Sequence, residues 1–454
     1  LITGEDISDY AGWDVSTAGD VDGDGLPDLL IGGYNGGDLS IRTGMAYIVA
    51  SGSLSATASL DLGDADWRLI GDDDTSGDQT GKGVSDAGDV DGDGYDDVMV
   101  GGPNIDDGAT NAGGVYLVMG GDLGTVPDTQ LYDSETLLLG ESAGDRVGEA
   151  TARAGDVDGD GLGDVIIGAS SNDDAGTDAG KAYLVYGDSL TSGDMNLADA
   201  DFGWTGEAAA DKAGFSVDGV GDLDGDGLDD LVIGAWGNDD GGSNAGKVYV
   251  VLSSALPADG SPLSSATVAL VGEGADDYAG YSAVFAGDVD ADGVADLLVG
   301  AYGDAPAGTR SGRSYLVYGT TLSGTATLDL SDADHRFAGE SGSDLSGIRV
   351  EGAGDVDNDG QDDLLIAAPA NDDGGSNAGK VYLVLAENLP SSRNIGLSTV
   401  DYGFTGEAIG DQAGYGIAGA GDVNGDGFDD LLIGAWANND GGTDAGKAYL
   451  MLAP

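Results

Sequence analysis

A pattern of fourteen residues recurs seven times along the chain and constrains its fold more than any other feature. Each copy has aspartate or asparagine at alternate positions, then a glycine, then an aspartate that opens an apolar run, as in GDVDGDGLPDLLIG from Gly19. The copies follow one another about every 67 residues, a period that indicates one supersecondary unit repeated along the chain. The first aspartates of the copies are Asp20, Asp89, Asp156, Asp222, Asp288, Asp355 and Asp422.

Each unit contains four predicted strands, which the fourth unit illustrates. Residues 213–220 lead into the aspartate loop and residues 231–233 follow it, and the unit continues with residues 247–252 and 268–271. The strand after the loop is apolar throughout, as expected where both faces of a sheet are covered. No helical period is present.

Four-stranded units repeated radially are the blades of a β-propeller, which has a central channel. The sequence therefore predicts an all-β, seven-bladed propeller over residues 1–454, with four antiparallel strands per blade. The chain ends on a third-strand pattern and begins on a fourth-strand pattern, so Leu1 to Gly4 are expected to pair beside residues 448–452 and close the ring. The expected blades are residues 6–71, 72–140, 141–206, 207–272, 273–339, 340–406, and 407–454 completed by 1–5.

The repeated loops predict calcium sites. Carboxylates stand at positions 1, 3, 5 and 9, a backbone carbonyl is available at position 7, and position 6 is glycine in all seven loops. Ca²⁺ takes six to eight oxygen ligands in a tolerant geometry, whereas Mg²⁺ keeps several waters in a strict octahedron, so this donor set favours Ca²⁺. An EF-hand shares the first part of the pattern, but it needs glutamate at position 12 and flanking helices, whereas Ile31 and Ile233 stand there here. The simpler alternative is an acidic turn that only connects strands.

Up to seven ions are expected, one per blade. The seventh loop has Asn424 at position 3 and is expected to bind more weakly, and Ala291 and Asn358 replace glycine at position 4 of the fifth and sixth loops. The expected ligands are Asp20, Asp22, Asp24, Leu26 and Asp28; Asp89, Asp91, Asp93, Tyr95 and Asp97; Asp156, Asp158, Asp160, Leu162 and Asp164; Asp222, Asp224, Asp226, Leu228 and Asp230; Asp288, Asp290, Asp292, Val294 and Asp296; Asp355, Asp357, Asp359, Gln361 and Asp363; Asp422, Asn424, Asp426, Phe428 and Asp430.

Two further motifs recur with the loops. A glycine and an aromatic residue open the first strand at Gly12, Gly214, Gly280 and Gly414, with weaker versions at Gly81, Gly148 and Gly347, and Gly-Ala-Trp, Gly-Ala-Tyr or Gly-Gly-Pro ends the second strand. With these motifs the whole chain resembles the FG-GAP repeats of integrin α-subunit propellers and their bacterial relatives. Integrin propellers usually carry calcium loops in only some blades, so seven such loops favour a bacterial or engineered relative over an animal integrin.

The face opposite the aspartate loops is the expected ligand surface. Aromatic residues gather there from blades one, four, five and seven, and such side chains anchor ligands. The resemblance implies that this face holds the β-subunit and part of the ligand in integrins. The alternative is that these rings only pack between blades. The candidate residues are Trp13, Tyr34, Phe215, Trp236, Tyr281, Tyr302, Tyr415 and Trp436.

The charge balance restricts the class of partner. The chain has 84 acidic and 15 basic residues and a net charge of −69, so it repels nucleic acid and anionic lipid. No apolar run is long enough for membrane insertion. The predicted function is an extracellular or cell-surface adhesion module with a protein or glycan ligand. The sequence opens at Leu1 without a methionine, a basic segment or an apolar segment of the signal-peptide type, so the secretion signal is expected outside these residues.

Catalysis has little support in the sequence. The chain has no cysteine, and its single histidine, His335, is expected in an exposed connection. A carbohydrate-active or phosphodiester-cleaving enzyme that uses carboxylates is an alternative, as is a purely structural or engineered scaffold. The Asn-Asp-Asp-Gly loops at Asn172, Asn238 and Asn371, with a variant at Asn438, could hold cations or basic ligands, but turn formation explains them more simply. The same structural explanation applies to the aspartate that precedes each first strand, such as Asp211.

Overall fold

The computed structural model describes residues 1–37, 42–54, 59–72, 77–124, 128–131, 136–190, 193–219 and 221–453. Its strands form seven sheets of four or five strands, so the predicted seven-bladed β-propeller is confirmed. Val220, which was expected to end the first strand of blade four, and Pro454 lie outside the described residues.

The first strand of each blade lies innermost, next to the first strands of both neighbouring blades. This ring closes between blades seven and one. The first strands surround an axial cavity of about 310 Å³. They are Val15–Gly19, Gly83–Gly88, Ala150–Gly155, Ala213–Asp218, Ser282–Gly287, Arg349–Gly354 and Ile417–Gly421.

The second and third strands form the buried middle of each blade. Nearly every residue in them is buried, because neighbouring blades cover both faces of each sheet. The second strands are Asp28–Gly33, Asp97–Gly102, Asp164–Ala169, Leu231–Ala235, Asp296–Ala301, Asp363–Ala368 and Asp430–Gly434. The third strands are Met45–Val49, Gly114–Val118, Lys181–Val185, Lys247–Val251, Arg313–Val317, Lys380–Val384 and Lys447–Met451.

The two ends of the chain meet in blade seven. Ile2 pairs with Ala448 and Thr3 with Lys447 in antiparallel register, so the N-terminal strand completes the last blade as the sequence predicts. The side chain of Ile2 is 1% exposed and lies in the apolar cluster shared by blades seven and one. The fourth strands are Trp67–Ile70, Thr136–Leu139, Phe202–Thr205, Val268–Val271, His335–Ala338, Tyr402–Thr405 and, for blade seven, Ile2–Thr3.

We expect Ile2→Ala to lower the free energy of unfolding by about 2 to 4 kcal/mol, because it leaves a cavity at the junction that closes the ring. Urea unfolding in calcium-containing buffer measures this change. Ile7→Ala is the matched control, since Ile7 is 47% exposed. Equal stability of the two variants would contradict the role assigned to the N-terminal strand.

Among the described residues, five blades have a fifth strand that the four-strand expectation missed. The extra strand comes from the connection between the third and fourth strands of the next blade, and it pairs in parallel with the outer strand. Asn394–Gly396 pairs with His335–Ala338 in this way. Each added strand has only two or three residues, too few for a period in the sequence to reveal it. The added strands are Leu60–Asp61, Asp128–Gln130, Met195–Asn196, Thr327–Asp329 and Asn394–Gly396.

Helical structure is confined to single turns in the described part of the chain. Two four-residue α-helical turns, Ser51–Leu54 and Gly319–Leu322, follow third strands. No helix described here has the length and apolar character needed to cross a membrane. The 3₁₀ turns are Leu62–Asp64, Gly120–Asp122, Gly187–Ser189, Leu197–Asp199, Ser253–Ala255, Leu263–Ser265, Leu330–Asp332, Ala386–Asn388 and Leu397–Thr399.

Candidate functional site

The aspartate loops connect the first and second strands and lie together on one face of the propeller. At position 6 the backbone turns into the left-handed region, with φ of +92° at Gly25. A Cβ at Gly25 would meet nothing within 4 Å, so the backbone conformation and not a lack of space requires glycine there. Strands flank every loop, which agrees with rejecting an EF-hand.

Backbone N–H groups orient the carboxylate at position 1. In the fourth loop, Asp226 and Gly227 donate their N–H groups to Asp222 Oδ1 and Oδ2 at 3.1 and 2.8 Å. The carboxylate at position 5 accepts the N–H of position 7, at 2.9 Å between Leu228 N and Asp226 Oδ1. These bonds hold the carboxylates in fixed directions and leave oxygen lone pairs free for a cation.

The aspartate at position 9 is the buried member of each loop. In the third loop, Asp164 is 0% exposed and accepts the N–H groups of Val157 and Gly187, both at 2.8 Å. It therefore connects the loop to the end of the third strand of the same blade. The other aspartates at this position are equally buried: Asp28, Asp97, Asp230, Asp296, Asp363 and Asp430.

The fold brings the predicted ligands of a loop together. Carboxylate oxygens from positions 1, 3 and 9 lie within 4.8 Å of one another in the first, second, third and fifth loops, as Asp20, Asp22 and Asp28 do. In the fourth loop the grouped residues are Asp222, Asp224 and Asp226, from positions 1, 3 and 5. Side chains at position 5 are exposed and those at position 1 half-buried, so each cluster opens to solvent on one side.

Burial and mutual repulsion act on these carboxylates. Burial, with a smaller contribution from carboxylates of the same loop, raises the pKa of Asp28, Asp97, Asp164, Asp296 and Asp363 to about 7. A bound cation would relieve both effects, since opposite charge favours the ionised form. The all-oxygen donor set fits a hard divalent cation.

The seventh loop differs from the others at position 3. Asn424 Nδ2 donates to Asp430 Oδ2 at 3.3 Å, so the amide satisfies an oxygen that a cation would otherwise use. In the fifth and sixth loops, Ala291 and Asn358 keep the left-handed conformation at position 4, with φ of +58° at both. The loop backbone is therefore the same without glycine there.

Neighbouring loops are joined through position 8, a contact that sequence reasoning missed. Asp362 Oδ2 in the sixth loop accepts the N–H of Asp288, position 1 of the fifth loop, at 2.7 Å. The N–H of Asp362 donates in return to the carbonyl of Asp288 at 3.2 Å. Asp96, Asp229 and Asp429 make the same pair of bonds to Asp20, Asp156 and Asp355.

The eight candidate aromatic residues lie on the face opposite the loops, and all are half-buried. Trp13, Tyr34, Tyr415 and Trp436 form one cluster, in which the Trp13 and Tyr415 ring centroids are 4.3 Å apart. Tyr10 joins this cluster at 5.2 Å from Trp436.

A second aromatic cluster lies at blades four and five. It contains Phe215, Trp236, Tyr281 and Tyr302, with 4.5 Å between the Phe215 and Tyr281 centroids. Tyr278 joins it, stacked on Tyr302 at 5.2 Å. The candidate residues therefore form two groups and not one continuous arc.

Arg349 of blade six lies between the two clusters. Its guanidinium carbon is 6.0 Å from the centroid of Tyr415, and its charge also acts on Tyr281.

The inner strands carry acidic groups near Arg349 that sequence reasoning missed. Burial raises the pKa of Glu351 well above its usual value and that of Asp218 to about 6. The only sequence signal for these groups was a charged residue within a strand of small and apolar ones.

The Asn-Asp-Asp-Gly loops have partners within the chain. Asn238 Nδ2 donates to Asp211 Oδ2 at 3.1 Å, which ties the aspartate before the first strand to the loop after the second. Lys247 Nζ lies 2.7 Å from Asp240 and 2.6 Å from Glu207, above the ring of Tyr249. The carboxylates of these loops, which could have held an external cation, thus pair with lysine side chains of the same chain. Lys181, Lys380 and Lys447 repeat this arrangement in blades three, six and seven.

The expectation that His335 is exposed is wrong. His335 opens the fourth strand of blade five, is 8% exposed, and has Nε2 3.1 Å from the hydroxyl of Tyr318. Burial lowers the pKa of His335. His335 is buried because it lies on the fourth strand, in an apolar environment. The sequence did not reveal this position, because the connection before the strand is short.

Comparison with protein-family models identifies FG-GAP repeats in five segments of the chain. They cover residues 148–185, 213–251, 279–317, 350–384 and 413–451, each of which spans an aspartate loop and the strands around it.

Several curated proteins are similar to parts of the chain. Integrin alpha-PS2 of Drosophila melanogaster is 35% identical over 180 residues, which cover 38% of this chain and 12% of that protein. Integrin alpha pat-2 of Caenorhabditis elegans is 28% identical over 241 residues, covering 50% of this chain and 18% of that protein. Human integrin alpha-IIb is 33% identical over 154 residues, covering 33% and 14%. The chain thus matches less than a fifth of the length of each relative.

Proposed function

Because the chain is an integrin α-like β-propeller with FG-GAP repeats, we propose that it is a calcium-stabilised module that binds a protein or glycan outside the cell or at its surface. The observation that carries the proposal is the separation of two features on opposite faces. Clustered carboxylates occupy one face, and half-buried aromatic rings occupy the other.

Calcium fits the loops through their own residues. Carboxylates from positions 1, 3, 5 and 9 and the carbonyl of position 7 would hold one ion per loop, with water completing the shell. The ion would supply positive charge that fixes each loop between the first two strands. The seventh loop would bind more weakly because Asn424 contributes no charge.

The aromatic clusters fit the ligand face. Rings that are half-buried and packed edge to face keep one apolar side available while losing little side-chain entropy on binding. Arg349 between the clusters adds a cation that can pair with an acidic group of a ligand.

The test is binding without turnover. Calcium-loaded protein is screened against a glycan and protein array, and a hit is measured again with Trp236→Ala and Trp436→Ala. We expect each variant to bind at least about tenfold more weakly, since aromatic anchors dominate such interfaces. Tyr95→Ala is the matched control, because Tyr95 is 37% exposed on the opposite face.

Two results would contradict this function. Unchanged binding by both tryptophan variants would remove the aromatic face as the ligand surface. Calcium-dependent cleavage of a glycan or phosphodiester, abolished by one acidic substitution outside the loops, would support the enzyme alternative. If the chain acts only as a scaffold, the array should show neither a glycan ligand nor a protein ligand.

A further inference from the structure

The aspartate loops are not all connected to one another in the same way. Position 8 of each loop lies against the preceding loop, and at four boundaries it is an aspartate that makes two hydrogen bonds to the backbone of position 1 there. At the other three boundaries, position 8 is Pro27, Gly163 or Ala295, whose side chains have no oxygen to accept such a bond. The loops therefore fall into three connected groups: loops one and two, loops three and four, and loops five, six and seven.

The boundary between the third and fourth loops shows how the connection works. Asp229 Oδ2, at position 8 of the fourth loop, accepts the N–H of Asp156 at 2.9 Å, and the N–H of Asp229 donates to the carbonyl of Asp156 at 3.3 Å. Asp229 stands between two expected ligands of its own loop, the carbonyl of Leu228 and the carboxylate of Asp230. The placement of Asp156, the first ligand of the third loop, thus depends on the order of the fourth loop.

A bond from the following loop accompanies a particular arrangement of carboxylates. In the first, second, third and fifth loops, position 1 makes at least one hydrogen bond with position 8 of the following loop. In these four loops the carboxylates of positions 1, 3 and 9 lie within 4.8 Å of one another.

The fourth loop is the contrasting case. Its position 1 is Asp222, and among the residues that the structure describes neither of the two bonds joins Asp222 to Ala295. The grouped carboxylates there come from positions 1, 3 and 5 instead of positions 1, 3 and 9. The bond from the following loop therefore goes together with the approach of position 1 to the buried aspartate at position 9.

We propose that the aspartates at position 8 couple calcium binding between neighbouring loops, an inference that rests on the calcium binding proposed above. An ion in one loop orders positions 7 and 9 of that loop, which fixes position 8 and so holds the first ligand of the preceding loop in place. By thermodynamic linkage, an ion in the preceding loop favours binding in the following loop by the same factor. The coupling adds to the stabilisation that the ions would supply as independent sites. The coupling residues are Asp96, Asp229, Asp362 and Asp429.

The fourth loop provides the test, because the third loop is connected to it and the fifth is not. Asp226→Ala removes a ligand of the fourth loop and is expected to empty it. Hydrogen exchange at Gly161 and Gly293 then reports calcium binding in the third and fifth loops, since both N–H groups donate to the carboxylate at position 1, at 3.1 and 2.9 Å. We expect the calcium concentration for half-maximal protection to rise at least about fivefold at Gly161 and less than about twofold at Gly293.

Variants at position 8 separate the hydrogen bond from the charge of the ion. Asp229→Ala should abolish the effect of Asp226→Ala on Gly161, and Ala295→Asp should create such an effect on Gly293, because it supplies the acceptor. Alanine already occurs at position 8 of the fifth loop, so Asp229→Ala introduces a side chain that the repeat accepts. Repulsion between neighbouring ions acts at both boundaries and does not produce this difference.

The outcomes distinguish a failure of the coupling from a failure of calcium binding itself. Equal shifts at the two glycines, a shift at Gly161 that persists with Asp229→Ala, or no new shift with Ala295→Asp would each overturn the coupling and leave the calcium sites in place. If calcium slowed exchange in none of the loops, both the coupling and the calcium-stabilised module would be wrong.

Discussion

Removal of calcium with EGTA is expected to lower the melting temperature of the protein by more than about 10 °C. An ion that binds only the folded state stabilises it by about 2.7 kcal/mol per site at a hundredfold excess over the dissociation constant, so seven independent sites supply about 19 kcal/mol. The empty loops oppose folding in addition, because their buried carboxylates repel one another and have raised pKa values. Calorimetry before and after chelation measures the change.

The control for this experiment is the identity of the added ion. Calcium returned in excess should restore the melting temperature fully, whereas an equal concentration of Mg²⁺ should restore only part of it. Asp226→Ala should cost less than full chelation, since the other six loops remain. If protein shown by elemental analysis to be metal-free melted at the original temperature, calcium would have no part in its stability.

Asp164→Ala is expected to destabilise the protein more than Asp160→Ala, although both remove one carboxylate from the same loop. Asp164 accepts two buried N–H groups, so its loss leaves two donors without a partner, at a cost of about 2 to 5 kcal/mol in total. Asp160 is exposed and accepts the N–H of Leu162 at the loop surface. Its loss should affect mainly calcium binding.

Chemical unfolding in calcium and in EGTA separates the two contributions. The difference between the variants should persist in EGTA, because the hydrogen bonds of Asp164 do not require the ion. Asp160→Ala should approach the stability of the unaltered protein once calcium is removed. A difference that disappears in EGTA would show that position 9 acts only as a metal ligand.

The repeated pattern was sufficient to predict the blades because each strand has its own signal in the sequence. The apolar second strands, the glycine turns and the regular spacing all recur, and the N-terminal pattern of Leu1 to Gly4 predicted the ring closure. The added strands could not be predicted in the same way, because they form only by pairing with the preceding blade. The available signal for an added strand was a leucine followed four residues later by an aspartate, as with Leu330 and Asp334.

For the candidate site, sequence spacing predicted the loop residues but not their supporting contacts. Spacing within one loop is local, whereas the bond between Asp362 and the preceding loop joins residues 74 positions apart. The lysine clusters were missed for the same reason, since Lys247 and Glu207 are 40 positions apart. Contacts of this kind depend on how the blades and their strands are stacked.

Anomalous diffraction from crystals grown with calcium will show whether the aspartate loops hold calcium ions. We expect one anomalous peak in each of the seven loops, surrounded by the carboxylates of positions 1, 3, 5 and 9, with the weakest peak beside Asn424. Crystals grown at millimolar calcium that show no peak in any loop would contradict this prediction.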